Sequence, residues 1–139
     1  MLTQEQLAFV LAQRVAHLAT ADTNGEPHVV PLCFAYVDAY FWIAIDEKPK
    51  RSTDLKRLRN IRENARVSLL FDRYDDDWSR LAYVLVHGTA EVLESGGAHP
   101  EVLAALRERY AQYAGMALEE RPLVRVKVQR VASWGAIEA

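Results

Sequence analysis

Cysteine is almost absent from this sequence, and long apolar runs are absent altogether. Cys33 is the single cysteine among 139 residues, so an intrachain disulfide is excluded and nothing indicates an oxidising compartment. No stretch approaches the roughly 20 consecutive apolar residues that a membrane-spanning helix needs. Residues 1–14 lack the positive start and the long apolar centre of a signal peptide. We therefore expect a cytoplasmic protein that contacts no membrane.

An excess of charge of one sign is also lacking. The 17 basic and 19 acidic residues leave a formal net charge of -2, and 50% of the residues are hydrophobic. This balance is typical of a soluble globular chain, and it argues against a disordered tail and against general nucleic-acid binding. Residues 1–139 contain no repeat, low-complexity tract or linker, and their number suits one domain with a sizeable core.

The common hydrolase and nucleotide-binding motifs are missing as well. There is no GxSxG element, no Ser-His-Asp arrangement and no GxxxxGK phosphate loop. His17, His87 and His99 show no metal-ligand spacing with one another or with Cys33, so we predict no metal site. These absences agree with redox chemistry in which a bound cofactor performs the difficult step and the protein positions it.

What the sequence does contain is a basic stretch that follows two strand-like segments. Residues 29–37 and 40–45 are rich in β-branched and aromatic side chains, and turn-prone Asp38 lies between them. In the basic stretch only Asp54 and Glu63 oppose the cations. The cations are Lys48, Lys50, Arg51, Lys56, Arg57, Arg59, Arg62 and Arg66.

A helix is predicted within this basic stretch, over residues 53–64. Ser52 and Thr53 stand at its start, where a hydroxyl can cap free backbone N–H groups. Hydroxyls, free N–H groups and cations together make a pocket for an anion, most simply a phosphate. Two other interpretations stay open. The cations can form a solvated helix face, and nucleic-acid binding would need a wider basic surface than one loop and one helix.

The remaining segments predict short strands joined by tight turns. We predict helices over residues 3–13 and 100–113, and further strands over 14–21, 66–72, 80–94 and 122–134, with a bend or bulge at Gly88. Thr3 and Gln6 form a capping-box pattern. Six strands and three helices without a βαβ rhythm favour an antiparallel barrel with helices on its outside.

Four segments that follow one another along the chain resemble a known family. They are RVAHLATADTNGEPHVVPLCFAY, FWIAIDEKPKRSTDLKRLRNIRENARVSLLFD, YDDDWSRLAYVLVHGTAEVLE and RPLVRVKVQRVASWGA. The family is the split β-barrel flavin-binding family that includes pyridoxamine 5'-phosphate oxidase. The closer likeness is to its small members, which bind the deazaflavin coenzyme F420. The resemblance implies a mainly β (α+β) fold: a six-stranded antiparallel split β-barrel of FMN-binding type with peripheral helices.

The resemblance also implies where a cofactor lies. The ring is expected along the second strand, and the residues that correspond to its contacts are His28, Val30, Pro31 and Leu32. Ile45 and Asp46 are expected to line the ring and the ribityl chain. The phosphate-binding positions are Lys50, Arg51, Ser52, Lys56 and Arg57. Members are typically homodimers with the cofactor between subunits, so Trp78 and Trp134 are expected to close that groove, in a dimer from the partner chain.

Departures from the family pattern bear on the reaction. The vitamin B6 oxidase has an arginine and a lysine where this chain has His28 and Cys33, and it continues beyond the position of Trp134 with an arginine and a histidine for the substrate phosphate. We therefore expect a different reaction, with His28 as the candidate catalytic residue.

The number of cations favours coenzyme F420, whose phosphate continues into a negatively charged glutamate tail, over FMN. The expected activity is hydride transfer between the deazaflavin and a small conjugated acceptor. The alternatives are an FMN-dependent oxidoreductase or flavin reductase of the same fold, and a non-catalytic carrier of F420, flavin or haem.

Overall fold

The computed structural model describes residues 1–45 and 55–138. In these ranges the chain forms three α-helices and seven β-strands, with short 3₁₀ turns between them. The helices are α1 Gln4–Ala12, α2 Lys56–Glu63 and α3 Pro100–Arg109; the strands are β1 Ala16–Ala21, β2 Pro27–Leu32, β3 Ala35–Val37, β4 Tyr40–Ala44, β5 Arg66–Arg73, β6 Ala82–Leu93 and β7 Leu123–Gly135. The mainly β antiparallel fold with three helices is confirmed, although it has seven strands rather than six.

The seven strands form one antiparallel sheet in the order β2-β1-β5-β6-β7-β4-β3. β2, which carries Pro27 and Pro31, and β3 are therefore the two edges of the sheet. Only Cys33 and Phe34 separate these edge strands in sequence, so Leu32 and Ala35 lie at most about 11 Å apart. The sheet must curl until its edges nearly meet, which is the geometry of a split barrel.

The predicted single strand over residues 29–37 is wrong, because the chain turns a corner at Cys33 and Phe34. The Phe34 side chain is fully buried, and its backbone N–H donates to the Tyr110 hydroxyl at 3.3 Å. The Arg109 guanidinium covers the Phe34 ring at 4.6 Å from its centroid. Contacts from the end of α3 therefore hold the corner, and residues 29–37 contain no local turn signal that would reveal it.

The boundaries of α1 follow the prediction, whereas α2 begins later and α3 ends earlier than predicted. The Thr3–Gln6 capping box is present at the start of α1, as predicted. α2 begins at Lys56 with Leu55 as its N-cap and no side-chain cap, later than the predicted start at residue 53. α3 ends at Arg109 rather than at residue 113, because Tyr110 leaves the helical conformation and a 3₁₀ turn follows. No helix in the described ranges is long and apolar enough to cross a membrane.

The predicted irregularity at Gly88 is confirmed. Between His87 and Gly88 the register of β6 with β7 shifts, so that Gln129 is an extra residue on β7. A Cβ atom at Gly88 would overlap the carbonyl oxygen of Lys127. A glycine is therefore required where the two backbones approach most closely.

The sheet has an inner face that carries the core and an outer face that does not. Inner side chains such as Leu18, Leu69 and Val86 pack against α1 and α2 in the larger hydrophobic core. Cross-strand pairing assigns the alternate residues to the outer face. These outer-face residues are Pro27, Val29, Pro31, His17, Ala19, Ala21, Arg66, Ser68, Leu70, Asp72, Tyr83, Leu85, His87, Arg130, Ala132 and Trp134. None of these belongs to either hydrophobic core of the described chain.

Candidate functional site

The predicted ring-binding residues of β2 lie on both faces of the sheet. His28, Val30 and Leu32 are half-buried and point to the inner face, where Val30 and Leu32 pack against the larger core. Pro31 is exposed on the outer face, opposite His17 of β1. A planar cofactor on one side of β2 would contact one of these two sets, so the four residues are not gathered on a single surface.

The two described phosphate-binding candidates, Lys56 and Arg57, form the first turn of α2. The ammonium of Lys56 lies 3.5 Å from an Asp22 carboxylate oxygen in the turn between β1 and β2. Hydrogen bonds from the backbone N–H groups of Glu26 and Asn24, together with Lys56, lower the pKa of Asp22. The carboxylate is therefore ionised at neutral pH, and it holds the lysine beside the turn.

A buried hydrogen bond ties the same helix to β1. The Asn60 amide donates to the Thr20 hydroxyl at 3.0 Å, and both side chains are buried. Thr20 pairs directly with His28 on the neighbouring strand. The structure thus brings His28, Lys56 and Arg57 to one end of the sheet, next to the turn between β1 and β2.

Trp134 lies at the opposite end of the sheet, and Trp78 lies in the connection between β5 and β6 at that same end. Trp134 stacks on Tyr83, with ring centroids 6.0 Å apart and an interplanar angle of 23°. The exposed fraction is 54% for Trp134 and 72% for Trp78. β5 spans the two ends over six residue steps, or about 20 Å. Within one protomer the tryptophans are therefore not gathered with Lys56.

The remaining predicted site residues cannot be placed together. Ile45 is 3% exposed and belongs to the larger core. Asp46, Lys50, Arg51 and Ser52 lie outside the described residues. All the site assignments therefore stay predictions, and the geometry shows only which of them share an end of the sheet.

Apolar side chains occupy the outer face at the Trp134 end, a surface we call the apolar half. Tyr83 and Trp134 are 36% and 54% exposed, and Leu70 and Leu85 lie half-buried in the neighbouring row. Cross-strand pairs place these side chains in adjacent rows. A contiguous exposed apolar surface of this kind is typical of a binding or subunit interface.

The other end of the outer face holds a polar cleft of about 530 Å³, which we call the arginine cleft. Ser68, His87 and Arg130 form one cross-strand row in it, and the Ser68 hydroxyl oxygen lies 2.9 Å from His87 Nδ1. The other residues that line it are Arg66, Ala19, Thr20, Ala21, Asn64, Val67, Gly88 and Gln129. Sequence reasoning missed this cleft because its members come from four strands, β1, β5, β6 and β7, whose register is not encoded locally.

Comparison with known proteins identifies the family of this chain and a relative that is named for a reductase activity. The family described as pyridoxamine 5'-phosphate oxidase matches residues 2–135. The 5a,11a-dehydrotetracycline/5a,11a-dehydrooxytetracycline reductase of Streptomyces rimosus is 29% identical over 134 residues, which cover 96% of this chain and 82% of the reductase. The likeness therefore extends over almost the whole sequence rather than one motif.

Solved structures with detectable sequence identity have the same fold. A conserved hypothetical protein of Mycobacterium tuberculosis superposes with a TM-score of 0.76 at 28% identity, covering 97% of this chain and 86% of that one. An FAD-binding protein of Mesorhizobium loti gives a TM-score of 0.71 at 26% identity, with 96% and 94% covered. The similarity spans nearly all of each chain.

Proposed function

Because this chain belongs to the pyridoxamine 5'-phosphate oxidase family, we propose that it is an oxidoreductase that uses coenzyme F420 to reduce a small conjugated acceptor. The observation that carries the proposal is the likeness to a reductase over 134 residues. The name of that relative gives a dehydrotetracycline as its substrate, so conjugated polycyclic compounds are the acceptors to test first. Because the similar Mesorhizobium loti protein binds FAD, a flavin is the second candidate cofactor.

The described residues fit a phosphorylated ring cofactor. Lys56 and Arg57, in the first turn of α2, would bind the phosphate, since free N–H groups and cations at a helix start favour anions. The stacked Tyr83 and Trp134 offer a flat aromatic surface for a ring system. The predicted preference for F420 over FMN rests on the cations of the basic stretch, which exceed the needs of one terminal phosphate.

A homodimer would bring these two groups together. In one protomer about 20 Å of sheet separates Lys56 from Trp134. If two apolar halves pack face to face around a twofold axis, the tryptophan of one protomer can approach the helix of the other, because such an interface is self-complementary. The proposed cofactor then lies in the groove between the subunits.

The chemistry would be divided between cofactor and protein. When bound, reduced coenzyme F420 supplies a hydride, which adds to an electrophilic carbon of the conjugated acceptor, and a proton completes the product. Lys56 and Arg57 orient the cofactor, and the exposed tryptophans exclude water. His28 is the side chain at that end of the sheet that we propose as the proton donor, with solvent as the alternative.

Titration of the purified apo-protein with coenzyme F420, FMN and haem side by side tests the proposal. We expect saturable binding of F420, and Lys56→Gln should weaken it by about 1.5–3 kcal/mol, because a charge-assisted hydrogen bond is lost. Arg62→Gln is the matched control. It removes the same charge from the same helix, but from the last turn, at the opposite end from the proposed phosphate position, where its guanidinium is paired with Glu94 at 2.8 Å.

The competing functions give different results in the same experiment. Tight binding of FMN without a response to F420 would identify a flavin enzyme. Binding of haem, or of F420 without turnover of a dehydrotetracycline or any other conjugated acceptor, would identify a carrier. If Lys56→Gln and Arg62→Gln behave alike, α2 is a solvated helix face and does not bind the phosphate.

A further inference from the structure

We propose that the arginine cleft is a second binding site, which takes a small organic anion with more than one carboxylate. It lies on the outer face at the C-terminal end of α2, whereas the proposed phosphate site lies at the N-terminal end of that helix. The eight residues of α2 separate the two by about 12 Å along the helix axis. The cleft therefore does not coincide with the phosphate position.

The charge of the cleft is uncompensated. Arg66 and Arg130 both line it, and no acidic residue of the described ranges does. Among the arginines that the structure describes, these two alone have no hydrogen bond, ion pair or ring contact from the side chain. Elsewhere the guanidinium groups bind acceptors, as Arg62 does with Glu94 and Arg107 with Glu119. Two unpaired guanidinium groups that converge on one concavity, in a chain of net charge -2, indicate an anionic ligand.

The remaining polar groups of the cleft can add donors. The Asn64 side-chain oxygen accepts from the backbone N–H of Arg66 at 3.2 Å, so its amide N–H₂ group is left for a ligand. If the Ser68 hydroxyl donates to His87 Nδ1, the imidazole carries its proton on Nε2 and becomes a further donor. Carboxylates, which only accept when ionised, complement such a set.

The size of the cleft selects among anions. Small side chains at Ala19 and Ala21, and the glycine at position 88, line it and leave room that larger residues would fill. At about 530 Å³ the volume lies in the range of small-molecule sites, roughly 300–1,000 Å³. A single inorganic ion would leave most of this space to water. An organic molecule with several acidic groups would engage both guanidinium groups at once.

Two sources can supply this chemistry, and an experiment can separate them. One is a free polycarboxylate or an acidic acceptor molecule. The other is the glutamate tail of coenzyme F420, which assumes the proposed function. The assignment of the cleft as an anion site does not require the second source.

Calorimetric titration with citrate at low ionic strength tests the site. We expect saturable binding of one citrate per protomer, weakened at least tenfold in Arg66→Gln and in Arg130→Gln. Arg62→Gln removes the same charge from the end of the adjacent helix and should change the affinity less than twofold. Absence of saturable binding, or equal affinity in all three variants, would overturn the proposal. The proposal would also be overturned if citrate fails to bind and the arginine variants dissociate the protein into monomers. In that case the arginines would pair with a second copy of the chain.

The source is determined by comparing coenzyme F420 with a form that lacks the glutamate tail. If the tail is the occupant, Arg130→Gln weakens binding of the full coenzyme at least tenfold and leaves binding of the tail-less form unchanged. If both forms bind Arg130→Gln normally while citrate does not, the occupant is a separate anion. Failure of the full coenzyme to bind the wild-type protein would contradict the proposed function and leave the citrate result standing.

Discussion

Ala39 has a backbone conformation that costs less for glycine. The hairpin between β3 and β4 has the two-residue turn Asp38–Ala39, with φ angles of 55° and 67°. Both positions of such a turn need positive φ, which aspartate tolerates and alanine resists. Ala39→Gly should relieve about 1–2 kcal/mol of strain and lose about 0.4–1 kcal/mol to the freer unfolded chain. We expect a net stabilisation of about 0.5–1 kcal/mol in urea unfolding.

The reverse change at another turn is the control. Gly25 has φ of +78°, and a Cβ atom there would meet nothing within 4 Å. Gly25→Ala should therefore destabilise the protein by a similar amount through conformation alone. Stabilisation by both variants, or by neither, would show that the left-handed backbone is not what limits these turns.

At the scale of single residues the sequence predicts local backbone conformation more reliably than it predicts which side chains come into contact. Asp38 was predicted to turn the chain, and Gly88 to mark an irregularity, because both signals are local. The approach of Ser68 to His87, 19 positions away, could not be predicted. Alternation in β5 and β6 puts each on one face of its strand, but only the pairing register puts them opposite each other.

Among the secondary-structure elements, an ion pair joins α3 to the 3₁₀ turns that follow it. Arg107 binds both carboxylate oxygens of Glu119, at 2.8 and 2.9 Å, and also donates to the carbonyl oxygens of Tyr113 and Met116. The hydrogen bonds from Arg107 lower the pKa of Glu119 to about 2 from its ordinary 4.5. The arginine thus fixes the path of residues 110–120 against the helix.

The depressed pKa gives this ion pair a definite pH window. Since the folded state holds the carboxylate ionised, its stabilising contribution is complete above pH 4.5 and is lost as the pH falls towards about 2. Glu119→Gln should lower the melting temperature at pH 6. The difference from wild type should shrink steadily below pH 4.5 in thermal unfolding measured across this range.

Arg107→Gln removes the other partner and provides the check. It should cost more than Glu119→Gln, because two carbonyl contacts are lost as well, but its pH dependence should show the same window. A wild-type minus Glu119→Gln difference that stays constant down to pH 2 would mean that the pair does not form in solution.

Element boundaries were predictable where the capping or alternation is local. The capping box at Thr3 and Gln6 predicts the start of α1, and the alternate valines predict which side chains of the first half of β7 are buried. The corner at Phe34 was missed, because the hydroxyl of Tyr110 that holds it is 76 residues away. A continuous apolar run predicts a strand whether or not tertiary contacts bend it.

For the whole molecule, the apolar half of the outer face predicts association. Leu85 lies near its centre, and a charge there would be buried without a partner in the proposed dimer. Leu85→Glu should raise the dimer dissociation constant at least tenfold, as measured by analytical ultracentrifugation. Ala104→Glu, on the exposed side of α3, is the matched control and should leave it unchanged.

The same experiment can contradict the dimer proposal directly. A wild-type protein that stays monomeric at micromolar concentration would leave the apolar half without its proposed partner. Equal dissociation constants for Leu85→Glu and wild type would show that a different surface holds the subunits together. Either result would separate the tryptophans from the phosphate site and remove the basis for a groove between protomers.

At this scale the sequence determined the fold class but not the assembly of the site. Four segments that resemble the family in the same order along the chain were enough to predict an antiparallel split barrel. It could not show that Lys56 and Trp134 lie at opposite ends of one sheet, because that separation depends on strand register and on the sheet order. Residues 46–54, which hold several predicted phosphate contacts, lie outside the described ranges.

The prolines of β2 determine what its open edge can do. β2 pairs with β1 along its whole length, so the residues that donate to β1 must alternate with Pro27, Val29 and Pro31. At these three positions a backbone N–H would point to the free side of β2, but the two prolines have no N–H group. Val29 alone offers a donor there. The edge is consequently a poor template for strand addition, so fibril growth and domain exchange are disfavoured at β2 even at high protein concentration.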